Sequence, residues 1–176
     1  ASRWFVDMYE LNRKAGEIIA RFTGAEAGMV TAGAAAGMLL EAAACMTGTD
    51  PAKVHRLPDT TGMKNEIVIH RAQLVGYVHS FRAAGARIVE IGNASGTQEW
   101  ELEEAINEKT AAVAYVFSAR QGGIIPFPRA VEIAMEGHVP LRIRETGSDD
   151  PGTLVWDRVP GGAMEIRSDR PVVGLA

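Results

Sequence analysis

Apolar residues recur at spacings of four and three through the opening segment, so that Trp4, Met8, Leu11, Ala15, Ile18 and Phe22 line one face of a helix. Gly24 ends it, since glycine readily takes the left-handed conformation just past a helix terminus. The apolar run that follows predicts a buried strand near residues 28 to 32, then a helix from Ala34 to Met46 built almost wholly of small residues. Residues 47 to 64 have no sustained period and read as a loop. From there the pattern alternates. EIVIH, ARIVEIG and TAAVAYVF read as strands, with QLVGYVHSFRAAG and TQEWELEEAINEK as the helices between them. Short strands alternating with helices of this length imply βαβ units and a mainly parallel sheet, an α/β fold. PRAVEIAMEG extends the pattern by one helix, opened by Pro128, and VPLRIR by one strand. Residues 145 to 176 hold three of the eight prolines and read as loops with at most two short strands.

Composition narrows the class. At 176 residues the chain can bury a substantial core, and its charged residues break every apolar stretch well short of the ~20 residues of a membrane span. Arg3, Asp7, Glu10, Arg13, Lys14 and Glu17 exclude the apolar centre of a secretory signal from the first helix, and the first residue, Ala1, fits a fragment. A net charge of -4 with interspersed signs provides no cationic face for nucleic-acid phosphates. The single Cys45 cannot pair within the chain; in AAACM it reads as a small buried hydrophobe, and a reducing cytoplasm is the expected compartment. The four histidines show no ligand spacing, so no metal is expected. Glu99, Glu101, Glu103 and Glu104 crowd a helix start, where negative charge suits the dipole and a solvated face is the expected role.

The stretch with the most chemistry is VTAGAAAGMLLEAAACMTG, residues 30 to 48: an extended run turning through Gly33 into a helix of small residues. Backbone amides at such a start, unobstructed by side chains, can bind an anion; Gly33, Ala34 and Ala35 are therefore candidate phosphate contacts. The same residues would equally let the helix pack very close to a neighbour, and both readings stand on physics alone. Neither GxxxxGK[ST] nor GxGxxG occurs. Ser118, Gln121 and Gly122 follow a buried strand, the place where open α/β sheets bind ligands, or they form an ordinary loop.

Three blocks, RKAGEIIARFTGAEAGMVTAGAAAGMLLEAAACMTGTD, NEIVIHRAQLVGYVHSFRAAGARIVEIG and WELEEAINEKTAAVAYVF, resemble in order and spacing the selenocysteine synthase and D-glucosaminate-6-phosphate ammonia-lyase family. The resemblance covers about residues 1 to 141. It implies an incomplete large domain of a fold type I, aspartate-aminotransferase-like enzyme, a mostly parallel sheet flanked by helices, with pyridoxal 5'-phosphate as cofactor. It implies that the TAGAAAG turn holds the cofactor phosphate and that His70, Arg71 and Gln73 end a strand facing the cofactor. By family, the activity would be a lyase or transferase of the β-elimination or replacement type on a small amino or amino-sugar phosphate substrate, in a homo-oligomer.

Two departures weaken that implication for this chain. Arg144 stands where the family has the aspartate that partners the pyridinium nitrogen, and an arginine would repel a protonated ring. No lysine follows Gly122; Lys14, Lys53, Lys64 and Lys109 all precede it, and none lies in the segment of the Schiff-base lysine. The expectation is a partial cofactor domain over 1–144 and an atypical tail over 145–176, frame-shifted or joined from a distant segment, with the chain inactive alone. The alternative is a non-catalytic phosphate-binding or oligomerisation remnant; an unrelated α/β nucleotide-binding protein is a third reading, resting on fold analogy.

Overall fold

The computed structural model describes residues 5–23, 25–117, 124–139, 141–145 and 153–155, the backbone alone at Phe117, 141–145 and 153–155. Helix α1 runs Met8–Thr23, α2 Ala34–Thr47 and α3 Pro51–Arg56. Strand β1 (Glu66–His70) leads through two 3-10 turns, Arg71–Gln73 and Gly76–Val78, into α4 (His79–Ala83). Then come β2 (Arg87–Ile91), α5 (Glu99–Ala105), β3 (Thr110–Phe117), α6 (Phe127–Glu136), β4 (Leu141–Glu145) and β5 (Thr153–Val155). They build a sheet of order β2-β1-β3-β4-β5, in which the first four strands are parallel and β5 is antiparallel to β4.

Both faces of the sheet are covered at β1 and β3, which is why those strands read as nearly unbroken apolar runs. Along β1 the side chains alternate between two cores. Ile67 and Ile69 join Met38, Ala42 and Met46 of α2 and Phe81 of α4 on one side. Val68 joins Leu102 of α5, Val113 and Tyr115 of β3, and Ala130, Val131, Ile133 and Ala134 of α6 on the other. Arg129 ties α6 to α5 through Glu99 at 2.8 Å and Glu103 at 3.4 Å. The amino end of β1 is fixed by an ion pair between the buried Glu66 and the exposed Arg87, to which Asn107 adds a hydrogen bond of 3.0 Å to the second carboxylate oxygen. Hydrogen bonding from Arg87 holds the Glu66 carboxyl below its ordinary range despite its burial.

Strands 66 to 70 and 87 to 91 form as expected, and the third begins one residue early, at Thr110. Three expectations are corrected. No strand forms at residues 28 to 32: Gly28 packs against Gly16 of α1 so tightly that a Cβ on Gly16 would enter its carbonyl oxygen. The Val30 amide donates to the Asn12 side chain at 3.3 Å, and Met29 and Val30 are exposed. That segment's polar backbone is thus engaged with α1. The helix expected from Gln73 breaks at Gly76 into turns and the five-residue α4, since a glycine inside a helix is costly. Residues 47 to 64 are not loop throughout: Asp50 accepts from the amides of Ala52 and Lys53 and Pro51 opens α3, a capped start followed by only six helical residues. The tail beyond residue 145 lies outside the described residues except for the backbone of β5, which extends the sheet.

Candidate functional site at the carboxyl edge of the sheet

Gly33 caps α2 with φ 128 and ψ -179, a conformation that residues with a Cβ rarely adopt. A Cβ placed there would meet nothing within 4 Å, so the glycine is required by its backbone angles and the space before the helix start is open. Its carbonyl accepts from the amide of Gly37 at 3.0 Å and from the Thr31 hydroxyl at 3.0 Å, which fixes the turn. Ala34 and Ala35 follow as the first two helical residues, and Ala35 is exposed. Small residues, the open approach and the positive end of the helix dipole are the features a phosphate would need.

His70 is the last residue of β1 and is fully buried. Its ring meets Tyr115 edge-on at 5.5 Å, which places it in the layer with α5 and α6, opposite the layer packed under α2. Nδ1 lies 3.1 Å from the Thr97 hydroxyl. Nε2 is buried and has no hydrogen-bond partner among the described residues. Burial pushes the imidazole down to about 4, with the Glu101 carboxylate acting weakly the other way; the ring is neutral at neutral pH.

Gln73, also fully buried, spends its amide on the carboxyl end of β3: Nε2 donates to the Val116 carbonyl at 2.7 Å and Oε1 accepts from the Val116 amide at 2.9 Å. It latches the turn after β1 to the neighbouring strand. Arg71 and His79 are exposed. Tyr115, whose phenol burial pushes upward, donates to the Ile125 carbonyl at 3.0 Å and stacks edge-on with Phe127.

Ser118, Gln121 and Gly122 lie outside the described residues. Of Arg144 the backbone is described, in register with Val116 on the neighbouring strand. The lysines sit elsewhere. Lys14 pairs with Glu10 on α1 at 3.0 Å and Lys53 is on α3. Lys64 and Lys109 precede β1 and β3 at their amino ends, where the Lys109 carbonyl receives the Asn65 and Glu66 amides. The phosphate end of the expected cofactor therefore has residues that suit it, whereas its covalent end has no lysine beside the carboxyl edge among the described residues.

The partner of His70 was not legible beforehand. Thr97 is 27 residues away, and the only trace in the sequence is the GNASG run that returns the chain to β1.

No family model matches the chain. The structure of D-glucosaminate-6-phosphate ammonia-lyase superposes with a TM-score of 0.74 at 40% identity, over 80% of this chain and 40% of that one. The D-glucosaminate-6-phosphate ammonia lyase of Salmonella typhimurium is 39% identical over 156 residues, 85% of this chain and 42% of that protein. L-seryl-tRNA(Sec) selenium transferase of Nitratidesulfovibrio vulgaris is 30% identical over 143 residues, 75% of this chain and 27% of that one. A pyridoxal-5'-phosphate-dependent protein from Escherichia coli shares the fold at 12% identity, with a TM-score of 0.51 over 76% of this chain and 33% of its own. A likeness of another kind is to aspartokinase 1 of Bacillus subtilis, 60% identical over 58 residues, 33% of this chain and 14% of that protein. The chain spans about two fifths of the ammonia lyase and less of the others. By sequence and by fold it is a relative of D-glucosaminate-6-phosphate ammonia lyase and L-seryl-tRNA(Sec) selenium transferase, built as part of a fold type I large domain.

Proposed function

We propose that this chain is the phosphate-holding part of a pyridoxal-phosphate domain, in which the start of α2 at Gly33, Ala34 and Ala35 binds the cofactor phosphate and His70 faces the ligand from the end of β1. The superposition on D-glucosaminate-6-phosphate ammonia-lyase carries the reading. When bound, the cofactor supplies an electron sink for β-elimination or replacement on a small amino or amino-sugar phosphate substrate. The chain's own contributions are local ones. Helix-start amides hold the phosphate, the Gln73 latch keeps the edge of the sheet rigid, and a neutral His70 offers one hydrogen-bonding nitrogen. With Lys64 and Lys109 at the amino ends of their strands, the cofactor binds without a covalent link and the chain is inactive alone.

The test is to titrate the protein with pyridoxal phosphate, reduce with borohydride and map any modified lysine by mass spectrometry. Reversible binding, weakened by Ala35→Asp and accompanied only by scattered substoichiometric labelling, is the expected result. Ala35→Asp is preferable to a change at Gly33: aspartate suits a first helical turn while repelling phosphate, whereas any side chain at Gly33 strains φ 128. Stoichiometric labelling of a single lysine would overturn the non-covalent reading.

Self-association is supported by α1. Its expected apolar face is a real helix face, yet Met8, Leu11, Ile18 and Phe22 are exposed, as are Phe5 and Tyr9, while Glu10–Lys14 and Arg13–Glu17 pairs occupy its polar side. Apolar area of that extent suits burial against a second copy.

A join within the chain is supported by the aspartokinase likeness. The three family blocks end at Phe117, and the 59 residues after it are long enough to hold the 58-residue match. A frame-shifted tail would retain no such identity to an existing protein. Reading the gene across codons 110 to 176 in all three frames is the test: continuation of the lyase-like segment in another frame would refute a join.

A further inference from the structure

We propose that Thr97 is a positioning residue that fixes the tautomer of His70, so that Nε2 carries the proton and is presented as a donor to an acceptor on the bound ligand. The ligand half of this rests on the reading of the site given above; the tautomer half does not.

The geometry begins at the end of β2. Ile91 is the register partner of His70, and the chain must turn back within a few residues for anything after β2 to touch the end of β1. Gly92, at φ 86, starts that turn, and Asn93 and Gly96 close it by exchanging backbone hydrogen bonds of 2.9 and 3.3 Å, with the Asn93 side chain accepting from the Ser95 amide at 2.8 Å. The loop delivers Thr97 to His70. It does so over Gly92: a Cβ there would enter the Thr97 hydroxyl and lie 3.0 Å from the Gly96 carbonyl oxygen. Glycine at 92 is thus needed twice, for its φ and for the passage of the threonine.

The consequence is chemical. A neutral imidazole has one protonated and one bare nitrogen. In the proposed tautomer the Thr97 hydroxyl, 3.1 Å from Nδ1, donates to it, leaving that nitrogen bare and the proton on Nε2, which meets no partner among the described residues. A buried donor left unpaired is uncommon unless a ligand or ordered solvent completes it. Here it stands at the carboxyl end of a parallel strand, the edge where open α/β sheets take their ligands. Neutrality follows from burial of the ring beside Tyr115.

The experiment is nitrogen-15 NMR of the imidazoles of the full chain, with Thr97→Val, Thr97→Ser and Gly92→Ala variants and pyridoxal phosphate as the probe. Wild-type His70 should show a protonated-type Nε2 and a bare-type Nδ1. Thr97→Val and Gly92→Ala should mix the two tautomers, and Thr97→Ser should restore the wild-type signature, which a merely space-filling threonine would not require. A protonated Nδ1 in the wild type, or a tautomer indifferent to Thr97→Val, overturns the proposal. Pyridoxal phosphate should shift the Nε2 signal of the wild type more than that of Thr97→Val. If the tautomers behave as stated but the cofactor shifts neither signal, the role toward the ligand is overturned; if the cofactor does not bind at all, the failure is of the phosphate site at Gly33.

Discussion

Acid should unfold this chain earlier than its carboxylates alone require, and His70 is the reason. Its imidazole has an ordinary value of 6.5 and is held at about 4 in the fold, first by burial, with Glu101 partly offsetting. The unfolded state therefore takes up a proton that the folded state refuses, so stability is complete above pH 6.5 and falls as the pH descends toward 4. Each pH unit well below 6.5 costs ~1.4 kcal/mol, and the loss reaches about 2 kcal/mol by pH 5. Among the described residues the resolved carboxylate shifts, at Glu66 and Asp59, are both downward from 4.5 and 3.8, so what they contribute disappears only at lower pH. The window between pH 6.5 and 4.5 isolates the histidine. Urea unfolding followed by circular dichroism at half-unit pH steps, for wild type and His70→Phe, gives the measurement. The variant should lose most of the slope in that window while keeping a similar stability at pH 7.5, because phenylalanine fills the site and needs no partner for Nε2. Superimposable pH curves, or a His70 resonance titrating near 6.5, would refute the reasoning.

Gln73→Leu should lower unfolding stability by about 2 to 4 kcal/mol, since it strands both the buried amide and the carbonyl of Val116; urea melts would show it. Gly16→Ala should release α1 from the Gly28 segment, because the added Cβ cannot coexist with the Gly28 carbonyl, and trypsin should then cut at Arg13 or Arg21 faster with little change in the sheet. Arg129→Met should leave stability nearly unchanged at high salt and lower it only slightly at low salt, as urea melts at the two ionic strengths would show, its carboxylate partners on α5 and α6 being exposed. Phe22→Asp together with Tyr9→Asp should shift the sedimenting species toward monomer; unchanged sedimentation would remove α1 from the interface.

Legibility in the sequence followed where the driving force is local. The strands β1 and β3 announced themselves because a strand buried on both faces is apolar through most of its length, and their short lengths distinguished them from helices. Residues 28 to 32 carry the same signal without pairing, because what decided them was a close approach of Gly28 to Gly16, a tertiary fact with no periodicity. The amphipathic pattern of α1 correctly gave a helix, but pattern cannot say what covers the apolar face, and none of the described residues covers it. Gly33 was singled out by composition and proves to need its glycine for φ. The role of Gln73 could not be seen, because an amide aimed at a ligand and one aimed at the next strand look the same in sequence.

The two ends of β1 supply the final step. Both bury a polar side chain, Glu66 at one end and His70 at the other, and burial makes an unpaired polar group costly in either place. At the amino end both carboxylate oxygens are engaged, one by Arg87 and one by Asn107, so the charge is fully accounted for within the chain and reads as a fastening. At the carboxyl end a loop is bent through Gly92 to engage one nitrogen of His70, and among the described residues nothing engages the other. A fold that satisfies Glu66 twice has the means to satisfy His70 twice. That it does so at one end of a strand and not at the other supports a ligand role for the carboxyl edge, on the same chain whose α2 offers an open helix start to a phosphate.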